Sequence, residues 1–411
     1  MSTQNEFGKD AGRYIYRTHE NRRGQASQVS LTDLKTGQTK ILAERQDWEA
    51  FDGIVWTPWG TILAAEEVIV SRAPDPQVPQ AKAGLVYEFF IDRNDPSRLD
   101  PSREPMNAAD GTSDTTRDGI RARPALGSKS HEGMRFDKKG NLYGIAESRG
   151  RTTTGVAGAI FRFVPNRRGD LSSGRLQAFQ SPNRQDGEGR WIDLDPAKVQ
   201  IDADLEAETK GANEYQRPED VETGQSTGRD RNNGGNTLYV AITEGDDEGV
   251  LAIDLSRSQR PFAYDYVGKQ AGNASEAGGF DAPDNLALDR RGNLVVAEDP
   301  PNNPVGADYF VAAPPRGRPH QPARTVQRFA SLKDCIAEPS GPYFALEGTE
   351  RFARQNPDPR VARVVDDETL FAHRQHAGQS TKIDQLVAIS PVNDEDEDDD
   401  DDDDEDERED R

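Results

Sequence analysis

Short apolar runs recur along this chain, each framed by Gly, Asn or Asp. Tyr14-Ile15-Tyr16 leads into His19 and Glu20, and Gly60-Thr61-Ile62-Leu63 leads into Glu66 and Glu67. Gly140-Asn141-Leu142-Tyr143 leads into Glu147, and Thr237-Leu238-Tyr239-Val240 leads into Glu244. Gly292-Asn293-Leu294-Val295-Val296 leads into Glu298 and Asp299, and Leu370-Phe371 leads into His373 and His376. Alternating apolar runs between turn formers predict β-strands. Further strands are predicted over 28–34, 85–91, 159–164, 250–255, 326–329 and 385–389. Turn signals such as Lys35-Thr36-Gly37, Lys139-Gly140-Asn141 and Arg291-Gly292-Asn293 separate them. Helical periodicity is nearly absent, and 196–208 is the best candidate for a short helix.

Six copies of one strand pattern predict an all-β fold, a six-bladed β-propeller. If the repeated strands are the inner ones, their polar ends ring a central channel. The turn glycines Gly12, Gly60, Gly140, Gly235 and Gly292 lie 48, 80, 95 and 57 residues apart. Propeller repeats run about 40–50 residues, so the excess falls in long inter-strand loops over 93–127 and 179–231. Such loops are functional lids or disordered segments. The segment 385–389 is placed to supply an outer strand that closes the ring. Two separate β-domains are the competing layout.

Composition adds boundaries. Net charge is −23, and residues 394–411 hold 16 acids against two arginines, net −14. Such a like-charge run predicts a disordered acidic tail. The division expected is a flexible N-terminus over 1–10, a propeller over 11–392 and the tail over 393–411. An acidic chain argues against nucleic acid as a partner. With one cysteine, Cys335, no intrachain disulfide forms and thiolate-rich clusters are excluded. No run approaches the roughly 20 apolar residues of a membrane span, and residues 1–10 carry no apolar signal region. As it stands, the sequence reads as a cytoplasmic monomer.

The chemistry concentrates at strand ends. Glu66 and Glu67 are adjacent, so on a regular strand only one faces the channel. In Ser130-His131-Glu132-Gly133, one of His131 and Glu132 suits a metal and the other its orientation; a hydrogen-bonded loop is the alternative. In Gln216-Arg217-Pro218-Glu219-Asp220-Val221-Glu222, Pro218 is expected to hold Arg217 extended. Arg217 offers a planar fork for phosphate or carboxylate, and Glu219 and Glu222 are hard oxygen ligands suited to calcium; a salt-bridged loop would read the same way. Asp284 and Asn285 are oxygen ligands in a turn, and Gln375-His376-Ala377-Gly378 follows the sixth strand. Glu20 and Glu298 complete the candidate set. No nucleophile elbow, P-loop, zinc spacing or dinucleotide fingerprint is present.

Trp56-Thr57-Pro58-Trp59-Gly60-Thr61 with Glu66-Glu67, then His131-Glu132, Arg217-Pro218-Glu219, Pro283-Asp284-Asn285, Glu338-Pro339-Ser340-Gly341 and Gln375-His376-Ala377-Gly378, resemble the PhoX-type alkaline phosphatases, in that family's order. The resemblance covers about residues 11–390. It implies a six-bladed propeller whose channel holds iron and calcium and hydrolyses small-molecule phosphomonoesters. It also implies Glu132 and Glu219 as iron ligands, Arg217 as the catalytic, phosphate-binding arginine, and Glu20 and Glu67 on the calcium side. His131, Asn285 and His376 are then candidates for contacting substrate, with Glu66, Asp284 and Glu298 as further metal ligands. Where the family carries a cysteine ligand for iron, this chain has Ala65, which makes calcium the expected cation and Fe3+ the less supported one. Family members are often exported. Two other readings fit a carboxylate-lined propeller: a calcium-dependent lactonase or esterase, and a non-enzymatic, calcium-stabilised binding module.

Overall fold

A computed structural model describes residues 1–21, 27–105, 111–148, 158–183, 186–224, 235–257, 259–268, 279–299, 308–332, 337–377 and 383–390; side chains at 376, 377, 383 and 384 are not described. Cys335, the His376 side chain and the acidic tail therefore lie outside the described residues. Six antiparallel sheets follow one another along the chain. The first is β1 (Ser2–Gln4), β2 (Tyr14–His19), β3 (Ser27–Asp33) and β4 (Gln38–Arg45). The second is β5 (Phe51–Trp56), β6 (Ile62–Glu66), β7 (Val86–Phe89) and β8 (Ile120–Ala122). The third is β9 (His131–Phe136), β10 (Leu142–Ala146), β11 (Ile160–Arg167) and β12 (Asp170–Gln180). Next, β13 (Gly187–Glu188) and β14 (Arg190–Asp193) divide between neighbours. β14 extends the third sheet, while β13 edges the fourth, made of β15 (Gln216–Glu222), β16 (Thr237–Glu244), β17 (Gly249–Asp254) and β18 (Phe262–Gly268). The fifth is β19 (Pro283–Leu288), β20 (Leu294–Glu298), β21 (Asp308–Ala313) and β22 (Thr325–Ser331). The sixth is β23 (Glu338–Phe344), β24 (Leu370–Ala377) and β25 (Ile383–Ile389). The protein is a six-bladed β-propeller.

Alternation along each strand gives every blade two apolar faces, and six apolar clusters fill the six spaces between blades. On β6, Ile62 and Ala64 pack toward the first blade while Leu63 and Ala65 pack toward the third. Each large apolar side chain buried this way contributes about 1.5–3 kcal/mol, so the period-2 pattern holds the ring together blade against blade.

The repeated strand of the sequence pattern is the second strand of each blade, not the innermost. β1, β5, β9, β15, β19 and β23 lie innermost and pack against one another around the axis. Each begins where its partner ends: Phe51 pairs with Glu66, His131 with Ala146, Gln216 with Glu244 and Pro283 with Glu298. The starts of the inner strands and the polar ends of the second strands therefore meet at one end of the propeller.

Residues 2–4, expected within a flexible N-terminus, form the innermost strand of the first blade, with Ser2, Thr3 and Gln4 opposite Arg17, Tyr16 and Ile15. Their polar side chains carry no hydropathy signal; Gln4 is fixed by donating to Gly12 O (2.9 Å). The segment 385–389 lies in the outer strand of the sixth blade, but the ring closes without strand exchange. Ser2 Oγ donates to Gly341 O (3.4 Å) and Leu346 N to Gln4 Oε1 (2.9 Å) across the seam. The predicted helix is present over Pro196–Thr209, capped by Asp195 and turned at Asp202, whose backbone is non-helical.

Candidate metal centre

Inner strands crowd the axis, and glycine permits the closest approach. A Cβ on Gly53 would stand 2.1 Å from Glu132 O, so blades two and three meet backbone to backbone there. This contact sets Asp52 beside Glu132. Glu67 joins them from the end of β6. One carboxylate oxygen from each of Asp52, Glu67 and Glu132 lies within 4.8 Å of the others. Glu132 is 3% exposed, and its Oε2 is buried with no hydrogen-bond partner. A buried carboxylate oxygen left unsatisfied is costly and points to a missing positive charge.

Further carboxylates surround these three. Burial, then the charges of Asp52, Glu67, Glu219 and Asp284, hold the Glu132 carboxyl well above the usual range. Burial, then Glu20, Glu147 and Asp52, do the same to Glu67, with Arg217 opposing. Burial with Glu147 and Asp284 raises Glu219, and burial with Glu338, Asp299 and Asp52 raises Asp284. Such mutual repulsion is relieved by protons or by cations.

Arg217 is the cation the chain itself supplies. Nε stands 2.8 Å from Glu147 Oε1, and NH1 stands 2.8 Å from Asp299 Oδ2 and 3.5 Å from Glu244 Oε1. NH2 lies 2.5 Å from Glu219 Oε1, an ion pair without hydrogen-bond alignment. Burial opposes the arginine's charge, and Glu219, Glu147 and Asp299 more than offset it. The expectation of an extended Arg217 is corrected: its φ is +49°, in the left-handed region. That backbone costs about 1–2 kcal/mol, and here the convergent carboxylates of three blades hold the side chain despite the proline that follows.

Several candidates are engaged elsewhere. Glu66 faces away from Glu67 and accepts from Glu49 N (2.8 Å) and Leu85 N (3.0 Å). Glu298 accepts from Asp281 N (2.9 Å), and burial pushes its carboxyl up to about 8. His131 turns into the core, with Nδ1 3.0 Å from Lys129 Nζ and Nε2 3.0 Å from Gly127 O. Glu222 lies deeper in the channel and accepts from Arg135 Nε (3.2 Å). Asn285 donates to Asp284 Oδ1 (2.7 Å) and accepts from Gly341 N. Glu20 accepts from Gln375 Nε2 (2.9 Å) and adds its charge at Glu67.

Asp52 is absent from the sequence-derived site, and Glu147 and Asp299 entered only as strand ends. A signal for all three exists. Asp52, Glu132 and Asp284 each stand eight residues before a turn glycine, and Glu67, Glu147 and Asp299 each stand seven after it. The paired spacing marks equivalent positions in three blades.

A family model described as alkaline phosphatase PhoX matches residues 17–345. The chain belongs to the PhoX alkaline phosphatase family. No curated protein matches it. Among solved structures it is similar to a luciferin-regenerating enzyme (9% identity, 95% of this chain and 91% of that one, TM-score 0.49). It is also similar to a putative 6-phosphogluconolactonase from Bacteroides uniformis (11% identity, 93% and 84% covered, TM-score 0.42). For this PhoX-family propeller the donor set is oxygen throughout. Ala65, at the cysteine position of the family pattern, is fully buried one step below Glu67 in the apolar cluster between blades two and three. Carboxylate oxygens without thiolate suit a hard cation such as calcium. Among the described residues no helix is long and apolar enough to cross a membrane.

Proposed function

We propose that this PhoX-family chain is a calcium-dependent phosphomonoester hydrolase working at the open end of the carboxylate ring. The observation that carries the reading is the convergence of Asp52, Glu67 and Glu132 within 4.8 Å, with Glu132 Oε2 lacking any partner. Asp52, Glu67 and Glu132 would hold the cation, with Glu20, Glu219 and Asp284 completing the oxygen set around it. Bound there, calcium would supply charge stabilisation for the transferring phosphoryl group.

The protein's own contribution is orientation. Arg217 presents a fork fixed on two sides by Glu147 and Asp299, so its planar donors are preorganised for a phosphoryl oxygen pair. Glu219, next but one along β15, keeps the guanidinium directed at the ring. Asn285 holds the Asp284 carboxylate by its amide and leaves the other carboxylate oxygen for the ring. Phosphoryl transfer demands positioning and charge more than a protein nucleophile, and this set of side chains provides both.

The test is phosphate release from p-nitrophenyl phosphate by purified protein, before and after chelation. Expected are activity with calcium, loss on chelation and recovery on calcium addition. Absence of release with both calcium and iron supplied overturns the phosphatase reading. Release that survives chelation overturns the metal dependence alone.

A further inference from the structure

The opposite end of the propeller carries a feature that phosphate hydrolysis at the ring does not use. Between the second and third blades lies an open cleft of about 790 Å³, walled by the β5–β6 turn at Trp59, the connection after β7 and the β11–β12 turn. Five arginines line it, Arg93, Arg103, Arg123, Arg167 and Arg168, in a chain whose net charge is −23. Two of them belong to the scaffold. Arg123 is buried against Glu88 (Nε to Oε2, 2.7 Å), and Arg103 donates to Gly60 O (2.9 Å) and Trp59 O (3.2 Å).

The acids of the lining are committed as well. Glu88 also accepts from Trp59 Nε1 (2.8 Å) and Thr61 Oγ1 (2.6 Å). Asp92 pairs with Arg98 at 2.8 Å, and Asp100 and Asp170 each tie their own turn by accepting a serine N–H at 2.9 Å. Arg93, Arg167 and Arg168 remain. All three are exposed, and among the described residues none has an ion-pair partner. Burial, then the charge of Arg93, lowers the pKa of Arg103, so the positive groups act on one another. The hairpin turn fixes the geometry: Gly169 has φ +83°, and the stem of Arg168 lies over the turn at Gly140.

We propose that this cleft binds a small oligoanion, a molecule carrying two or more phosphate or carboxylate groups, at a site separate from the carboxylate ring. Guanidinium forks match both groups bidentately. Three unpaired forks on one cleft need more than one anionic group to satisfy them. The volume falls in the range of roughly 300–1,000 Å³ that holds small-molecule ligands. The inference stands on different residues from the phosphatase reading and survives its failure.

The experiment is calorimetric titration of the full chain in calcium buffer. The two ligands are propane-1,3-diphosphonate, whose C–P bonds no phosphatase cleaves, and propane-1,2,3-tricarboxylate. Saturable binding of at least one is expected, and the tighter one identifies the anionic group. R93A/R167A/R168A should weaken it on the order of a hundredfold, about tenfold for each charged contact that is lost. R217A should leave it unchanged. The three positions are exposed, so the melting temperature should not move; R168E alone is the second variant if it does, again with at least about tenfold weakening. No saturable binding of either ligand, equal binding by the arginine variants, or loss of binding in R217A overturns the proposal.

Discussion

Replacing Arg217 by alanine removes one positive charge from among four carboxylates, and the structure sets the scale. Glu147 and Glu219 have side chains only 8% and 4% exposed. Deleting one partner of such a buried bridge costs about 3–5 kcal/mol. Asp299 and Glu244 are 26% and 40% exposed, and solvent screening leaves their bridges about 0–1 kcal/mol each. Alanine at the same left-handed backbone is strained as arginine is, so that cost cancels. A loss of about 3–5 kcal/mol is therefore expected for calcium-free protein at pH 9.

The pH dependence has a definite sign. Burial and like charges raise the Glu219 and Glu67 carboxyls above their unfolded values, and Arg217 counteracts the rise. A carboxyl raised in the folded state favours folding at low pH and loses that contribution as pH climbs through its folded pKa. Without Arg217 the rise is larger, so the variant's deficit should be small at pH 5 and full at pH 9. Calcium should shrink it at pH 9 by supplying the missing charge. Urea unfolding followed by tryptophan fluorescence, at both pH values with and without calcium, measures all four cases. An equal deficit at pH 5 and pH 9, untouched by calcium, would refute the electrostatic account.

Two further predictions separate neighbouring carboxylates. E67Q should weaken calcium binding at least tenfold with little change in calcium-free stability, whereas E66Q should destabilise by about 1–3 kcal/mol and leave calcium affinity unchanged. Isothermal titration and denaturant melts on both variants check this, and the opposite assignment would show that the strand faces are misread. Glu298, raised to about 8, should make wild-type stability fall between about pH 4.5 and pH 8. E298Q should remove that part of the slope without changing calcium affinity; a weakened affinity would make Glu298 a ligand.

How far the sequence alone reaches differs between fold and site. Period-2 runs and turn glycines locate the blades because both are local: Leu63 and Ala65 alternate with Ile62 and Ala64 whatever lies beyond them. Which strand is innermost is not local. Ser2–Gln4 is polar, and the other inner strands start with histidine, proline or glutamate, so hydropathy draws the eye to the second strands. At the site, Glu67, Glu132, Arg217 and Glu219 are legible as residue types at strand ends. Asp52 hides because it precedes an apolar run with no other ligand type nearby, and only its register with Glu132 and Asp284 reveals it. His131 looks like a ligand in sequence, but Lys129 and the Gly127 carbonyl take both ring nitrogens. The left-handed backbone of Arg217 follows from carboxylates on three blades, information no dipeptide rule contains.

The way the ring closes sets the order in which it comes apart. Five blade junctions arise from sheets that follow one another along the chain. The sixth joins residues 338–389 to residues 2–45 by packing and hydrogen bonds such as those of Ser2 and Gln4, with no strand shared. The Gln375–Glu20 bond crosses this junction, and Glu20 acts directly on Glu67. Separation along that line breaks no sheet, so it is the least costly opening of the molecule, and amide exchange should begin in the first and sixth blades. A cation engaging Glu20, Glu67 and Asp52 would draw the two sides together, making its release the event that frees the propeller to unroll.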